Sequence, residues 1–70
     1  MYPNGIKFYR EKADVTQRTF ADALGIKREA LSYYENGTRN PSPHIWFSMA
    51  EKLGVSVEAL MSPIAKKETA

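Results

Sequence analysis

Three stretches with helically spaced apolar residues each run into a glycine, at Gly25, Gly37 and Gly54. A glycine there takes the left-handed backbone conformation that ends a helix without a Cβ clash. The helices are therefore short, and the fold must be assembled from several of them. The first of the three spans Gln17 to Leu24, with Thr16 as N-cap and Phe20, Ala21 and Leu24 turned inward. The second is "IKREALSYYENG", Ile26 to Gly37, in which Ile26, Ala30, Leu31 and Tyr34 make one inner stripe. The third is capped by Ser42 and begins on Pro43, where a missing N–H costs nothing. It runs to Leu53 with Trp46, Met49, Ala50 and Leu53 buried.

Two further helices flank these. Asn4 caps a helix running to about Ala13, with Ile6, Tyr9 and Ala13 inside. Asp14 stops it, because Asp tolerates the left-handed conformation better than most residues. Ser56 caps the last helix, where Val57, Leu60 and Met61 face the core and Glu58 suits the positive helix end. "TRNPSP", from Thr38 to Pro43, is a loop, and "IAKKETA", residues 64–70, is expected to be a flexible tail to a domain of residues 1–63. No segment alternates with period two for long enough to be a strand. The expected fold is all-α, a compact bundle of five helices. With 70 residues the core is small, and with no cysteine it is held by packing alone.

Several function classes drop out at this point. No apolar run approaches the ~20 residues that span a bilayer, so no membrane partner is expected. Met1-Tyr2-Pro3-Asn4 lacks the charged region and apolar stretch of a signal peptide, which leaves a cytoplasmic location as the default. His44 is the sole histidine, has no Cys, His or carboxylate cluster around it, and is expected on the surface. Neither a metal, nor a cofactor, nor a small-molecule ligand is indicated. No nucleophile is paired with a base, so no catalytic site is expected. Residues 1–41 hold seven Lys/Arg against five Asp/Glu, whereas residues 42–70 hold three of each, so the net charge of +2 sits in the first part of the chain.

The junction of the second and third helices carries the most information. Ala21 is small enough for the two to cross closely, Gly25 turns the chain sharply, and Ile26 and Leu31 pin the pair together. Such a unit presents its second helix as a ridge narrow enough for the DNA major groove. "VTQRTFADALGIKREALSYYENGTRNP" resembles the helix-turn-helix of the lambda and 434 repressor and Cro family, also called the XRE family. Thr16-Gln17, Phe20-Ala21, Leu24-Gly25-Ile26, Leu31 and Glu35-Asn36-Gly37 match its pattern in order and spacing. "AEKLGVSVEALM" resembles the family's junction between helices four and five. The likeness covers about residues 4–61. It implies a lambda-repressor-like five-helix domain that binds a double-stranded DNA operator as a symmetric homodimer, with helix three in the major groove and half-sites ~34 Å apart.

The same likeness implies roles. Gln17 bonds a phosphate and braces helix three. Arg10 pairs with Glu35 as a structural ion pair. Tyr34 stands where the family has an aliphatic core residue, and so belongs to the core. Asp14 departs from a common glycine and Pro43 from a frequent aliphatic residue. The residues themselves suggest the rest. Lys27, Arg28 and Glu29 open helix three: Arg28 suits the O6 and N7 of guanine, Glu29 suits cytosine N4 or orients Arg28, and Lys27 suits a phosphate. Ser32 reaches a base edge or a phosphate, and Tyr33 packs on a thymine methyl. Arg39 is the best phosphate candidate of the following loop, with Asn36 and Asn40 adding amides. Against each stands the plainer reading of a solvated face, with Tyr33 lying across neighbouring side chains. Phe47, with Leu60, Met61 and Ile64, is either a dimer patch or ordinary residual exposure.

The expected function is a sequence-specific DNA-binding transcriptional regulator, most simply a repressor. A DNA-binding antitoxin or a restriction–modification controller protein would use the same fold and face. A helical protein-interaction module without DNA is the alternative from another class.

Overall fold

The computed structural model describes residues 3–63. Among them are five helices and no strand: α1 (Ile6–Lys12), α2 (Gln17–Leu24), α3 (Arg28–Asn36), α4 (Pro43–Leu53) and α5 (Val57–Met61). The expected tail, 64–70, and Ile64 with it, lie outside the described residues. No described helix is long and apolar enough to cross a membrane.

Local chemistry sets most of the boundaries. Thr16, Ser42 and Ser56 each accept a hydrogen bond from the backbone N–H three residues on, filling one of the vacant donors of a helix start. The first four helices close in one way. A residue with positive φ (Asp14, Gly25, Gly37 and Gly54) follows the helix. The N–H of the next residue then donates to a carbonyl five residues back: Val15 to Arg10, Ile26 to Ala21, Thr38 to Tyr33 and Val55 to Ala50. In three of the four, that next residue (Val15, Ile26 or Val55) is apolar, half-buried and packed on the core. The exception is Thr38 after α3, which is polar and exposed.

Asp14 is the one non-glycine residue with positive φ among those described, at 61°. An L-residue there is strained by roughly 1–2 kcal/mol, less for Asp than for most. Asp14→Gly is expected to raise unfolding stability by ~0.5–1 kcal/mol, after the extra freedom of glycine in the unfolded chain is set against the relieved strain. A melting temperature that falls instead would mean the Asp14 side chain contributes more than its backbone costs.

The core is Ile6, Phe20, Ala21, Leu31, Trp46, Met49, Ala50 and Leu60. Tyr34 is half-buried against it, as are Tyr9, Leu24 and Leu53. Four expectations need correction. Helix three begins at Arg28, not Ile26: Ile26 turns back onto α2, and Lys27 is an extended N-cap whose side chain bonds nothing. Ala13 lies past the end of α1 and is exposed. Met61 is exposed while Leu60 is wholly buried, so Met61 does not face the core and Leu60 cannot join a surface patch. Asn4 caps α1 from one residue further out than its expected place, accepting from the Ile6 N–H at 3.0 Å.

That shift has a cause. Gly5 occupies the cap position because nothing larger fits. Its N–H donates to the Leu60 carbonyl at 2.7 Å, and a Cβ there would lie 2.9 Å from the Ala59 oxygen. Asn4, itself buried, also donates from Nδ2 to the Tyr34 carbonyl at 2.8 Å and so ties the start of α1 to the end of α3.

Candidate nucleic-acid interface

The outer face of α3 is prepared from beneath. Arg10 of α1 and Glu35 of α3 form an ion pair, Nε to Oε2 at 2.6 Å and Nη2 to Oε1 at 3.4 Å, with side chains only 8% and 3% exposed. Arg10 Nη1 also donates to the Val15 carbonyl at 2.6 Å, so the same guanidinium holds the turn between α1 and α2. Glu35 Oε1 accepts a second bond, from Gln17 Nε2 at 2.8 Å. A buried charge pair is tolerable only when its remaining lone pairs and protons are met. Val15 and Gln17 supply further partners here, and no buried side-chain N or O is left without a partner among the described residues.

Gln17 is half-buried in the first turn of α2. With its Nε2 turned to Glu35, its Oε1 faces outward and accepts from Arg28 Nη1 at 3.5 Å. A chain of contacts thus runs from the buried pair through Gln17 to the first residue of α3. The Arg28 bond is long and exposed, and the guanidinium keeps other N–H donors free. Ala21 is buried at the α2–α3 crossing, and Gly25, at φ 71°, makes the turn between them.

The remaining candidates fall into two groups along α3. Lys27, Arg28 and Glu29 are exposed at its N-terminal end, and Ser32, one turn on, is half-buried. Tyr33 is 42% exposed. Its ring lies under the Arg39 guanidinium, whose central carbon is 5.0 Å from the ring centroid. The Tyr33 carbonyl also accepts from the N–H groups of Thr38 and Arg39, at 3.0 and 3.4 Å. Asn36, Thr38 and Asn40 are exposed around this turn and make no side-chain hydrogen bond within the described residues. The contact of Arg39 with Tyr33 is not signalled in the sequence, because it depends on how the loop after α3 folds back. Arg18, exposed in the first turn of α2 beside Gln17, is a cation that the sequence reading passed over.

His44 is exposed, as expected, and Phe47 on α4 is the most exposed large apolar side chain described, at 68%. Exposed Met61 on α5 is the other member of the expected patch that the structure leaves on the surface.

Comparison with known proteins agrees with the five-helix fold. A family model described as Helix-turn-helix matches residues 6–60. The chain is 41% identical over 56 residues to antitoxin PezA of Streptococcus pneumoniae, a match covering 80% of this chain but only 35% of PezA. It is 34% identical over 55 residues to an HTH-type transcriptional regulator of Methanocaldococcus jannaschii, covering 79% of this chain and 83% of that one. It is also 34% identical over 61 residues to the control protein C.MunI of a Mycoplasma species, covering 87% and 82%.

Proposed function

This chain belongs to the helix-turn-helix family, and on that premise we propose that it is a sequence-specific transcriptional regulator that binds double-stranded DNA with α3 in the major groove. The observation that carries the reading is the exposed N-terminal half of α3. Lys27, Arg28 and Glu29 are exposed there, and Arg28 reaches, by one long bond, the Gln17 amide that is fixed on a buried ion pair. A solvated face needs no such support. Arg28 reads guanine, Glu29 and Ser32 contact neighbouring base edges, and Lys27, Arg39 and the amides of Asn36 and Asn40 meet phosphates. Gln17 keeps a second amide hydrogen for a phosphate beside the start of α2. The protein acts as a repressor and binds a palindromic operator as a homodimer, with exposed Phe47 and Met61 as the patch that pairs two copies.

The likeness to antitoxin PezA and to control protein C.MunI favours a second reading with the same DNA-binding face. In it the chain is the DNA-binding part of an antitoxin, or a controller of a restriction–modification operon. The chain spans about a third of PezA's length, so the antitoxin version needs a partner toxin shown by experiment.

Selection from a random duplex library tests the common core of both readings. The protein is expected to enrich a two-fold symmetric site. Binding no better than to bulk DNA at ~100 mM salt would sink the sequence-specific reading. Against the selected site, Arg28→Ala is expected to cost ~1–3 kcal/mol and to relax preference at one base position. Arg39→Ala should weaken all sequences about equally and lower the salt slope by about one. Equal, sequence-independent losses for both variants would make Arg28 a phosphate contact. Sedimentation equilibrium decides the dimer, and a monomer both with and without DNA would overturn it.

A further inference from the structure

We infer that Tyr33 is a positioning residue: its ring holds the Arg39 guanidinium at the helix end, ready for a phosphate, and does not itself read a base. The inference rests on the DNA-binding reading and adds to it a division of labour along α3. Two observations carry it. The first is the stack, with the Arg39 guanidinium 5.0 Å from the centroid of a ring on the same surface. At that distance the ring face attracts one side of the cation, and the N–H donors on its other side stay open to a phosphate oxygen. The second is the manner in which the helices end. After α1, α2 and α4 the turn is latched by a half-buried apolar residue, Val15, Ile26 or Val55. After α3 the corresponding residue is exposed Thr38, so that position carries no apolar latch. Tyr33 ties this turn twice: through its carbonyl to the Thr38 and Arg39 amides, the first being the bond found at the other helix ends, and through its ring to the Arg39 side chain. One residue thus fixes both the backbone and the charged tip of the loop. A free arginine on an exposed loop would lose much rotamer freedom on meeting a phosphate, and the stack removes part of that loss in advance.

The stack also makes one face of the Tyr33 ring unavailable to a thymine methyl. Tyr33 therefore acts on affinity through Arg39, and its effect is independent of sequence.

The test is a mutant cycle on the intact chain, with a duplex selected by the wild-type protein and a scrambled duplex as probes. Circular dichroism confirms that each variant folds. Tyr33→Ala is expected to weaken binding to both duplexes about two- to fivefold while leaving the salt slope unchanged, because Arg39 still finds its phosphate. In the Arg39→Ala background the same change should cost less than about 1.5-fold. Tyr33→Phe, which keeps the ring, should bind like the wild type. Additive losses in the cycle, or a Tyr33→Ala loss confined to one base position, overturn the inference and make Tyr33 a direct contact. A readout without DNA separates this failure from failure of the DNA reading. In the free protein the Arg39 Hδ protons should be shifted upfield by the ring and return to ordinary positions in Tyr33→Ala. If they are unshifted in the wild type, the stack does not form in solution and the inference falls, whatever the protein binds. If they are shifted but the wild type binds neither duplex, the DNA reading falls and the phosphate role of Arg39 with it.

Discussion

Glu35→Ala is expected to lower unfolding stability by about 3–5 kcal/mol, measured by urea denaturation. The alanine leaves the Arg10 guanidinium buried with one partner, the Val15 carbonyl, where the native side chain is only 8% exposed. A stranded charge of this kind costs more than the intact ion pair contributes, because it loses its counter-charge while its burial remains. A 70-residue domain has roughly 3.5–10 kcal/mol in all, so the loss takes about a third of the total or more. The double replacement Arg10→Met with Glu35→Leu should recover most of the loss, because it removes both charges and fills the space. It should not recover full DNA binding. With no carboxylate beneath it, Gln17 has nothing to fix its amide, and the acceptor that steadies Arg28 is free to turn away. A Glu35→Ala loss below ~1 kcal/mol would mean that water reaches the pair and that the support under α3 is weaker than its geometry suggests.

Leu60→Ala is the second large effect, about 2–5 kcal/mol. Leu60 is fully buried, and truncation leaves a cavity between α5 and the helices it covers. Two exposed apolar residues set the contrast. Phe47 and Met61 are 68% and 53% exposed, so Phe47→Ala and Met61→Ala should each move monomer stability by less than ~0.5 kcal/mol. If these two substitutions instead weaken self-association, the patch pairs two copies. A Leu60→Ala change as mild as theirs would place Leu60 on the surface after all.

The parts of the fold legible in the sequence are those decided within a few residues. Thr16, Ser42 and Ser56 cap the helices they were expected to cap, because a hydroxyl reaching the N–H three residues on is a local event. Gly25, Gly37 and Gly54 end their helices for the same reason, and Asp14 does so despite its side chain. The start of α3 was misjudged because Lys27 caps it with no side-chain bond, leaving no local mark, while Ile26 continues the apolar spacing although it packs from the turn. Met61 beside Leu60 was ambiguous because a five-residue helix is too short for periodicity to fix which face is inside.

At the candidate interface, family likeness supplied the Arg10 and Glu35 pairing that the coordinates contain. The composition of the outer face of α3 was also readable. What could not be read is how side chains from different elements meet. The bond from Gln17 to Glu35 joins residues 18 apart in sequence, and the stack of Arg39 on Tyr33 depends on how the loop folds back. Both are choices among rotamers that only the assembled domain narrows.

The hydrogen bond from Gly5 to the Leu60 carbonyl has a consequence for how the domain opens. A helix near the beginning of a chain ordinarily frays, unwinding from its free end at little cost while the rest stands. Here the first turn of α1 leans on the last turn of α5, so the backbone closes into a circuit. Neither end can peel away without lifting the other from the core. The first and last described helices are therefore coupled, and solvent exchange at the Gly5 amide is expected to follow opening at Leu60, 55 residues away.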